Sequence, residues 1–289
     1  MSIFVFPKAE DSGGGGGGGG ESVVDSLLLI KGGQLAKADV QEIDADVLPP
    51  VTSGSPLSFS SDGSDFTRVI LRNMSNLELF GDLANQSITA ATWVKFNALT
   101  TGSVLAKRVF SIRAVGSSNN LELYVHSTSS LRGVCKRGSS NTHVESTSIT
   151  TGVWYHVALT WDHSNSSLTF YLNGASAVAS TGTTSASEPS QVGIGLGGRV
   201  QTDHNSNIDG LLQDFGIWSK SLSASEVAAI ASAGFDLGTD SGSYTSASDL
   251  KLWWTIQKRT ANQSAVLDSS GGGNIGTFNG NYILSTDVP

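Results

Sequence analysis

Between positions 203 and 209 the chain sets side-chain oxygens at every second residue: Asp203, Asn205, Asn207 and Asp209. Hard oxygen donors at that spacing suit a calcium ion, and Asp214 stands at the twelfth position. A helix–loop–helix calcium loop is excluded, because Ile208 occupies the turn position that needs glycine and no helical pattern flanks the segment. Two readings therefore stay open, an improvised Ca2+ site and a hydrogen-bonded polar loop. Asp268-Ser269-Ser270-Gly271 is a second candidate of the same kind. Gly193-Ile194-Gly195-Leu196-Gly197-Gly198 matches the G-x-G-x-x-G pattern of dinucleotide sites, but the residues after it carry no helical pattern to meet a pyrophosphate. They read as a Gly-rich strand. The five His form no metal or triad grouping, and no G-x-S-x-G or H-E-x-x-H occurs, so no catalytic residue is predicted. His156, alternating with Trp154, Ala158 and Thr160, reads as a packed strand histidine.

The aromatics offer another chemistry, stacking on sugar rings. Trp253 and Trp254 are adjacent, so in a strand they face opposite sides, and Trp154-Tyr155 poses the same problem. Trp161 closes a strand beside the turn residue Asp162. Trp161, Asp162 and Trp253 are thus the candidate sugar-binding residues. An outward ring is also open to being covered by the N-terminal arm or by a neighbouring subunit of a homo-oligomer, since exposed large rings usually mark protein interfaces.

These residues need strands to position them, and the composition agrees. Only 15% of the 289 residues are charged, the net charge is −8, and 34 are Gly. Six Trp and eleven Phe can fill a core, which excludes disorder throughout. The acidic balance argues against a nucleic-acid partner. A single Cys, Cys135, excludes a disulfide scaffold. No apolar run approaches a membrane span, and the N-terminus lacks the pattern of a secretory signal. Short strands are expected from Leu57 onward, among them Leu77–Phe80, Val104–Ala106, Val109–Val115, Leu121–Val125, Val153–Trp161, Leu168–Leu172 and Gln191–Leu196. Asn173-Gly174 marks a tight hairpin turn. One helix is expected, where Ser223-x-x-Glu226 forms a capping box, with Gly234 as its closing glycine.

Residues 1–50 differ in kind. Eight consecutive glycines, Gly13–Gly20, separate the apolar Ser2–Pro7 from Val23–Ile30, and Gln34–Asp46 reads as a short helix stopped at Pro49-Pro50. Two apolar patches on so small a segment predict a docking arm, leaving 51–289 as the globular body.

Four segments of that body carry a resemblance. Ser87–Lys95, with Trp93-Val94-Lys95, is one; Gly152–Thr160, with Trp154 and His156, and Phe170–Gly174 are two more; Gly210–Trp218 followed by Leu222-Ser223 and Glu226 is the fourth. Together they resemble the laminin-G-like jelly roll of the concanavalin A-like lectin/glucanase superfamily. Gln213 stands where that family usually has Asp. The resemblance implies an all-β jelly-roll sandwich with one short helix. The glucanase branch carries E-x-D-x-x-E on a strand; the only near match, Glu42-Ile43-Asp44-Ala45-Asp46, ends in Val47 and lies in the arm, so the implied protein is not an enzyme. Leu250–Trp254, Asp268–Gly271, Gly276-Thr277 and Asp287-Val288-Pro289 are similar to jelly-roll virion proteins of tailed bacteriophages. That similarity implies a virion structural protein made in the host cytoplasm, attached to other virion proteins through residues 1–50 and facing a host glycan. The alternatives are a cell-surface or secreted adhesion module and, further off, a glycoside hydrolase.

Overall fold

The computed structural model describes residues 2–5, 27–31, 34–37, 58–62, 68–74, 86–99, 107–115, 119–146, 148–182, 191–200, 206–256, 265–280 and 283–289. The chain divides into two compact units, 1–53 and 54–289. In the first, β1 (Ser2–Val5), β2 (Leu27–Lys31) and β3 (Gln34–Lys37) form an antiparallel sheet in that order. The helix expected from Gln34 is corrected here: Lys31 pairs with Gln34 across two glycines, and ladder bonds to an apolar strand satisfy the backbone of both segments. Residues 38–46 lie outside the described part, as do the expected strands Leu77–Phe80 and Val104–Ala106.

The second unit begins with β4 (Ser58–Asp62), β5 (Arg68–Met74), β6 (Ile88–Ala98), β7 (Arg108–Val115) and β8 (Asn120–Ser127). Then come β9 (Ser130–Arg137), β10 (Ser140–Glu145), β11 (Trp154–Asp162), β12 (Ser167–Leu172) and β13 (Ala175–Thr181). After β14 (Gln191–Leu196) and β15 (Asp209–Trp218) stands the helix α1 (Ala224–Ile230). Four short strands close the chain: β16 (Leu250–Trp254), β17 (Ala265–Val266), β18 (Gly276–Asn279) and β19 (Ile283–Ser285). Sheet I runs β10-β9-β8-β7-β14-β5-β18-β17, and sheet II runs β13-β12-β11-β6-β15-β4-β19, with β16 also on β15. Among the described residues every pairing between these strands is antiparallel, and the two sheets stack as the expected all-β sandwich.

Period-two alternation explains the stacking. Along β11, Tyr155, Val157, Leu159 and Trp161 join the main core, whereas His156, Ala158 and Thr160 face the other side. Phe110 of sheet I meets Phe215 of sheet II at 5.6 Å between ring centres. The hairpin turn after β12 forms where expected, with Asn173 at φ 51° and Gly174 at φ 78°, the left-handed pair that a type I′ turn demands. The capping box also forms: Ser223 Oγ accepts from the Glu226 N–H, and Glu226 Oε2 accepts from the Ser223 N–H at 2.8 Å. The helix ends at Ala231, so Gly234 serves the following turn instead of the cap.

The G-x-G-x-x-G stretch is structural. A Cβ on Gly195 would lie 2.4 Å from the Gly198 carbonyl oxygen, so glycine lets the chain fold back over β14. Folding back delivers Arg199 to Glu122, whose Oε1 lies 3.3 Å from nitrogens of Arg108, Arg113 and Arg199 and 2.8 Å from Ser111 Oγ. The register accounts for the meeting, since Gly195 pairs with Ser111 and Ser111 with Glu122. Burial raises the Glu122 pKa, but the three guanidinium groups outweigh it and hold the carboxyl below its ordinary range. This carboxylate is a staple for three arginines, not a general acid.

Candidate functional site

The outer face of sheet II is assembled from alternate residues of β6, β11 and β15. His156 pairs with Trp93, Trp93 with Gln213, and Trp154 with Lys95, so these side chains share one surface. Half of that surface is covered. Ala91, Ala158 and Gly216 pair into a row with no bulk, which admits Val227 and Ile230 of α1 and the residues after it into a second small core with Tyr171 and Trp218. Tyr244 locks this cover in place: the Trp218 indole donates to its hydroxyl, which donates to the Leu237 carbonyl, both at 2.8 Å.

The other half lies open. Trp93, Trp154 and Lys95 are partly exposed there, and Asn97 is exposed at the next outward position of β6. Asp287, from the C-terminal tail, ties the platform together: its carboxylate accepts from Trp154 Nε1 at 2.8 Å and pairs with Lys95 Nζ at 2.6 Å. Those two donors, Lys95 first, hold the Asp287 carboxyl below the usual range. Asn97 Nδ2 donates to Asp209 Oδ1 at 3.0 Å at the end of the same strip. Two indole surfaces flanked by an ammonium, carboxylates and an amide supply apolar stacking beside hydrogen-bonding groups, which is what a ring bearing several hydroxyls requires.

Beneath the covered half is a pocket with room for about one water molecule, near 10 Å³, lined by Trp93, His156, Asp214, Trp218, Ser232 and Phe235. His156 meets Trp93 edge-on, with ring centres 5.3 Å apart at 67°. Burial pushes the His156 pKa down to about 4 and that of Asp214 up to about 6; the Trp253 indole opposes the latter shift. The stability consequences have opposite signs. Neutral His156 resists protonation, so it costs stability as pH falls from 6.5 towards 4. Asp214 resists ionisation, so it costs stability as pH rises from 4 towards 6. Each amounts to roughly 3 kcal/mol at the end of its window. In the wild type the two nearly cancel between pH 4.5 and 6. Asp214→Asn is expected to leave a stability that climbs with pH over that window, and His156→Gln one that falls. Urea midpoints at pH 4.5 and 6.0 for both variants check the signs; parallel pH profiles in the two variants refute them.

The sequence-predicted residues scatter. Trp161 is corrected: it is fully buried in the main core, its ring facing inward, and cannot stack on a sugar. Asp162, the next residue, faces out into an open cleft of about 620 Å³ with Thr169, Tyr171, Lys220 and Glu226. Its carboxylate is engaged by its own turn, accepting from the Ser164 and Asn165 N–H groups at 2.9 and 3.2 Å and from Asn165 Nδ2. Trp253 is partly buried beside the small core, near Asp214, away from the Trp154 platform. Of the calcium candidates, Asp203 and Asn205 lie outside the described residues. Asn207 is fully buried in a bridge to Arg108, and Asp209 is held by Asn97. Asp268 is a turn staple, accepting from the Trp253, Ser270 and Asn274 N–H groups at 2.9 Å. No group of three His, Cys, Asp or Glu gathers among the described residues. The sequence pattern puts Trp154 on a strand without fixing its face, and Trp93, Lys95 and Asp287 stand in it only as parts of the segments that carry the resemblances, not as candidate site residues. The signal was the alternation Trp93-Val94-Lys95 opposite Trp154-Tyr155-His156.

A family model for the Laminin_G_3 domain matches residues 73–228, more than half of the chain. The chain belongs to the concanavalin A-like lectin/glucanases superfamily. No curated protein sequence matches it. Among solved structures, this superfamily member is similar to a Bacteroides ovatus protein provisionally assigned as carbohydrate-binding, at a TM-score of 0.55 and 15% identity, over 81% of this chain and 61% of that one. The chain thus spans less than two thirds of that protein. It is also similar to a heptameric SAP-like pentraxin from Limulus polyphemus, at a TM-score of 0.51 and 16% identity, over 80% of this chain and 95% of that one. At these identities the likeness is one of fold.

Proposed function

We propose that the sandwich is a non-enzymatic carbohydrate-binding module whose ligand lies on the open half of sheet II, across Trp93 and Trp154. The observation that carries this reading is the pair of partly exposed indoles beside the Lys95–Asp287 pair, on a face whose other half is sealed by α1. The provisional carbohydrate-binding assignment of the Bacteroides ovatus protein with the same fold supports it. Glu122, the carboxylate buried in sheet I, is consumed by three arginines, which favours binding over hydrolysis.

Trp154→Ala and Trp93→Ala are expected to weaken glycan binding about tenfold each, the loss of one stacked aromatic contact. A glycan array run with and without Ca2+ finds the ligand, and titration of the two variants, with thermal midpoints as folding controls, measures the loss. Unchanged affinity in both variants refutes the platform.

The setting we propose is a tailed-bacteriophage particle, with residues 1–50 as the attachment to other virion proteins. Its support is the sequence similarity of 250–289 to phage jelly-roll proteins and the Gly-rich arm, which carries a long glycine run between two apolar strands. Peptides of this protein in purified virions, found by mass spectrometry, are the expected result. Their absence would leave the second reading, a cell-surface adhesion module using the same platform.

A further inference from the structure

Arg137, the last residue of β9, is 3% exposed. It projects to the same side as Cys135 and lies over the Trp161 ring, 5.5 Å from guanidinium carbon to ring centre. Its Nη2 donates to the Gln86 carbonyl at 3.4 Å. Its Nε and Nη1 find no acceptor, and neither does the indole Nε1 of Trp161, all of them buried. Among the described residues no carboxylate forms an ion pair with Arg137. Cys135 does not neutralise it either, because burial pushes the thiol pKa up, with Arg137 opposing, and leaves the group uncharged at neutral pH.

The chain handles buried arginine differently elsewhere, where Arg108, Arg113 and Arg199 share the Glu122 carboxylate. A guanidinium stays protonated in any protein, so burial cannot relieve the charge by releasing a proton. An isolated buried cation is strongly unfavourable, and each unmet donor adds to the cost. A positive charge with unmet donors on two neighbouring side chains, and no carboxylate paired with it among the described residues, is the complement of an anion. We propose that Arg137 and Trp161 form a binding site for a small inorganic anion, held at the sandwich end between β9 and β11 and independent of the sugar platform. The anion supplies the negative charge and the acceptor that the described residues do not give to Arg137 Nε, Arg137 Nη1 and Trp161 Nε1, so its binding stabilises the fold and rises with its concentration.

The test uses the full chain in sodium chloride, sodium bromide or sodium gluconate at one fixed ionic strength, gluconate being too large for a buried site. The thermal midpoint of the wild type is expected to be higher in chloride and bromide than in gluconate and to rise with halide concentration. Arg137→Met is expected to lose that dependence and, in gluconate, to be no less stable than the wild type. Trp161→Phe, which keeps the aromatic packing and removes one donor, is expected to raise the half-saturating chloride concentration about tenfold. A bromide-soaked crystal of the wild type should give an anomalous peak within hydrogen-bonding distance of Arg137. Equal wild-type midpoints in gluconate and chloride, or a halide effect undiminished in Arg137→Met, would overturn the site. If Arg137→Met does not fold, the wild-type crystal decides, and no bromide peak at Arg137 overturns it.

Discussion

Glu122→Gln is expected to destabilise the sandwich by about 3–5 kcal/mol at pH 7, the range for removing one partner of a buried ion pair. The expectation rests on Glu122 Oε1 being the point where three guanidinium groups meet. An amide keeps the shape but not the charge, so three cations are left facing one another in a site where Arg108 and Glu122 are nearly inaccessible to water. The loss should also be local. Arg199 sits on the stretch folded back over β14, so amide exchange at 197–200 is expected to quicken before the rest of sheet I does. Urea denaturation measures the global loss and hydrogen exchange the local one. Replacing the pair together, Glu122→Leu with Arg108→Met, is expected to recover part of the stability, since apolar groups of similar volume tolerate such a site. A loss below 1 kcal/mol in Glu122→Gln would mean that the arginines remain solvated. The pH dependence follows the same logic: the Glu122 carboxyl is held below its unfolded value, so its stabilisation is full above that value and is lost as pH falls through the folded one.

Trp254→Ala is expected to cost about 3–5 kcal/mol for the cavity alone, with about 1 kcal/mol more for a lost hydrogen bond. Trp254 is fully buried, packs on Phe215 at 5.7 Å between ring centres, and donates its indole N–H to the Asn274 carbonyl at 2.7 Å. The site cannot collapse easily, because Gly276 already presses against the ring from below: a Cβ there would lie 2.9 Å from it. For a body of this size each kcal/mol moves the thermal midpoint by about 2–4 °C, so a fall of roughly 8–24 °C is expected by calorimetry. The neighbouring Trp253→Ala, only partly buried, should cost markedly less; equal losses would contradict the inward and outward assignment of the two rings.

That pair of tryptophans shows how far local pattern reaches. Adjacency in a strand dictates that Trp253 and Trp254 face opposite sides, and so do Trp154 and Tyr155, because the side-chain period of a strand is two. Which member faces the core is not a local property. It depends on the register with β6 and β15, which the chain writes into residues more than thirty positions away. The same gap misled the choice of Trp161: strand membership was legible, but its inward direction followed from pairing with Ile88 and from stacking against sheet I. In the arm, apolar content at 34–37 was legible, yet strand prevailed over helix because an apolar strand lay two residues away to pair with it.

The sequence by itself determined the strand-rich class, the Asn173-Gly174 hairpin turn, the Ser223–Glu226 capping box and the family, since each rests on residues within a few positions of one another or on their order. Only the tertiary structure decided the rest. Asp287 meets Trp154 and Lys95 across more than 130 positions, Glu122 gathers arginines from β7 and from the stretch after β14, and Arg137 meets no carboxylate among the described residues. The physical reason is that charge pairing, burial and the exposure of one face of a sheet are properties of which strands become neighbours, and the pattern along a single strand cannot carry that information.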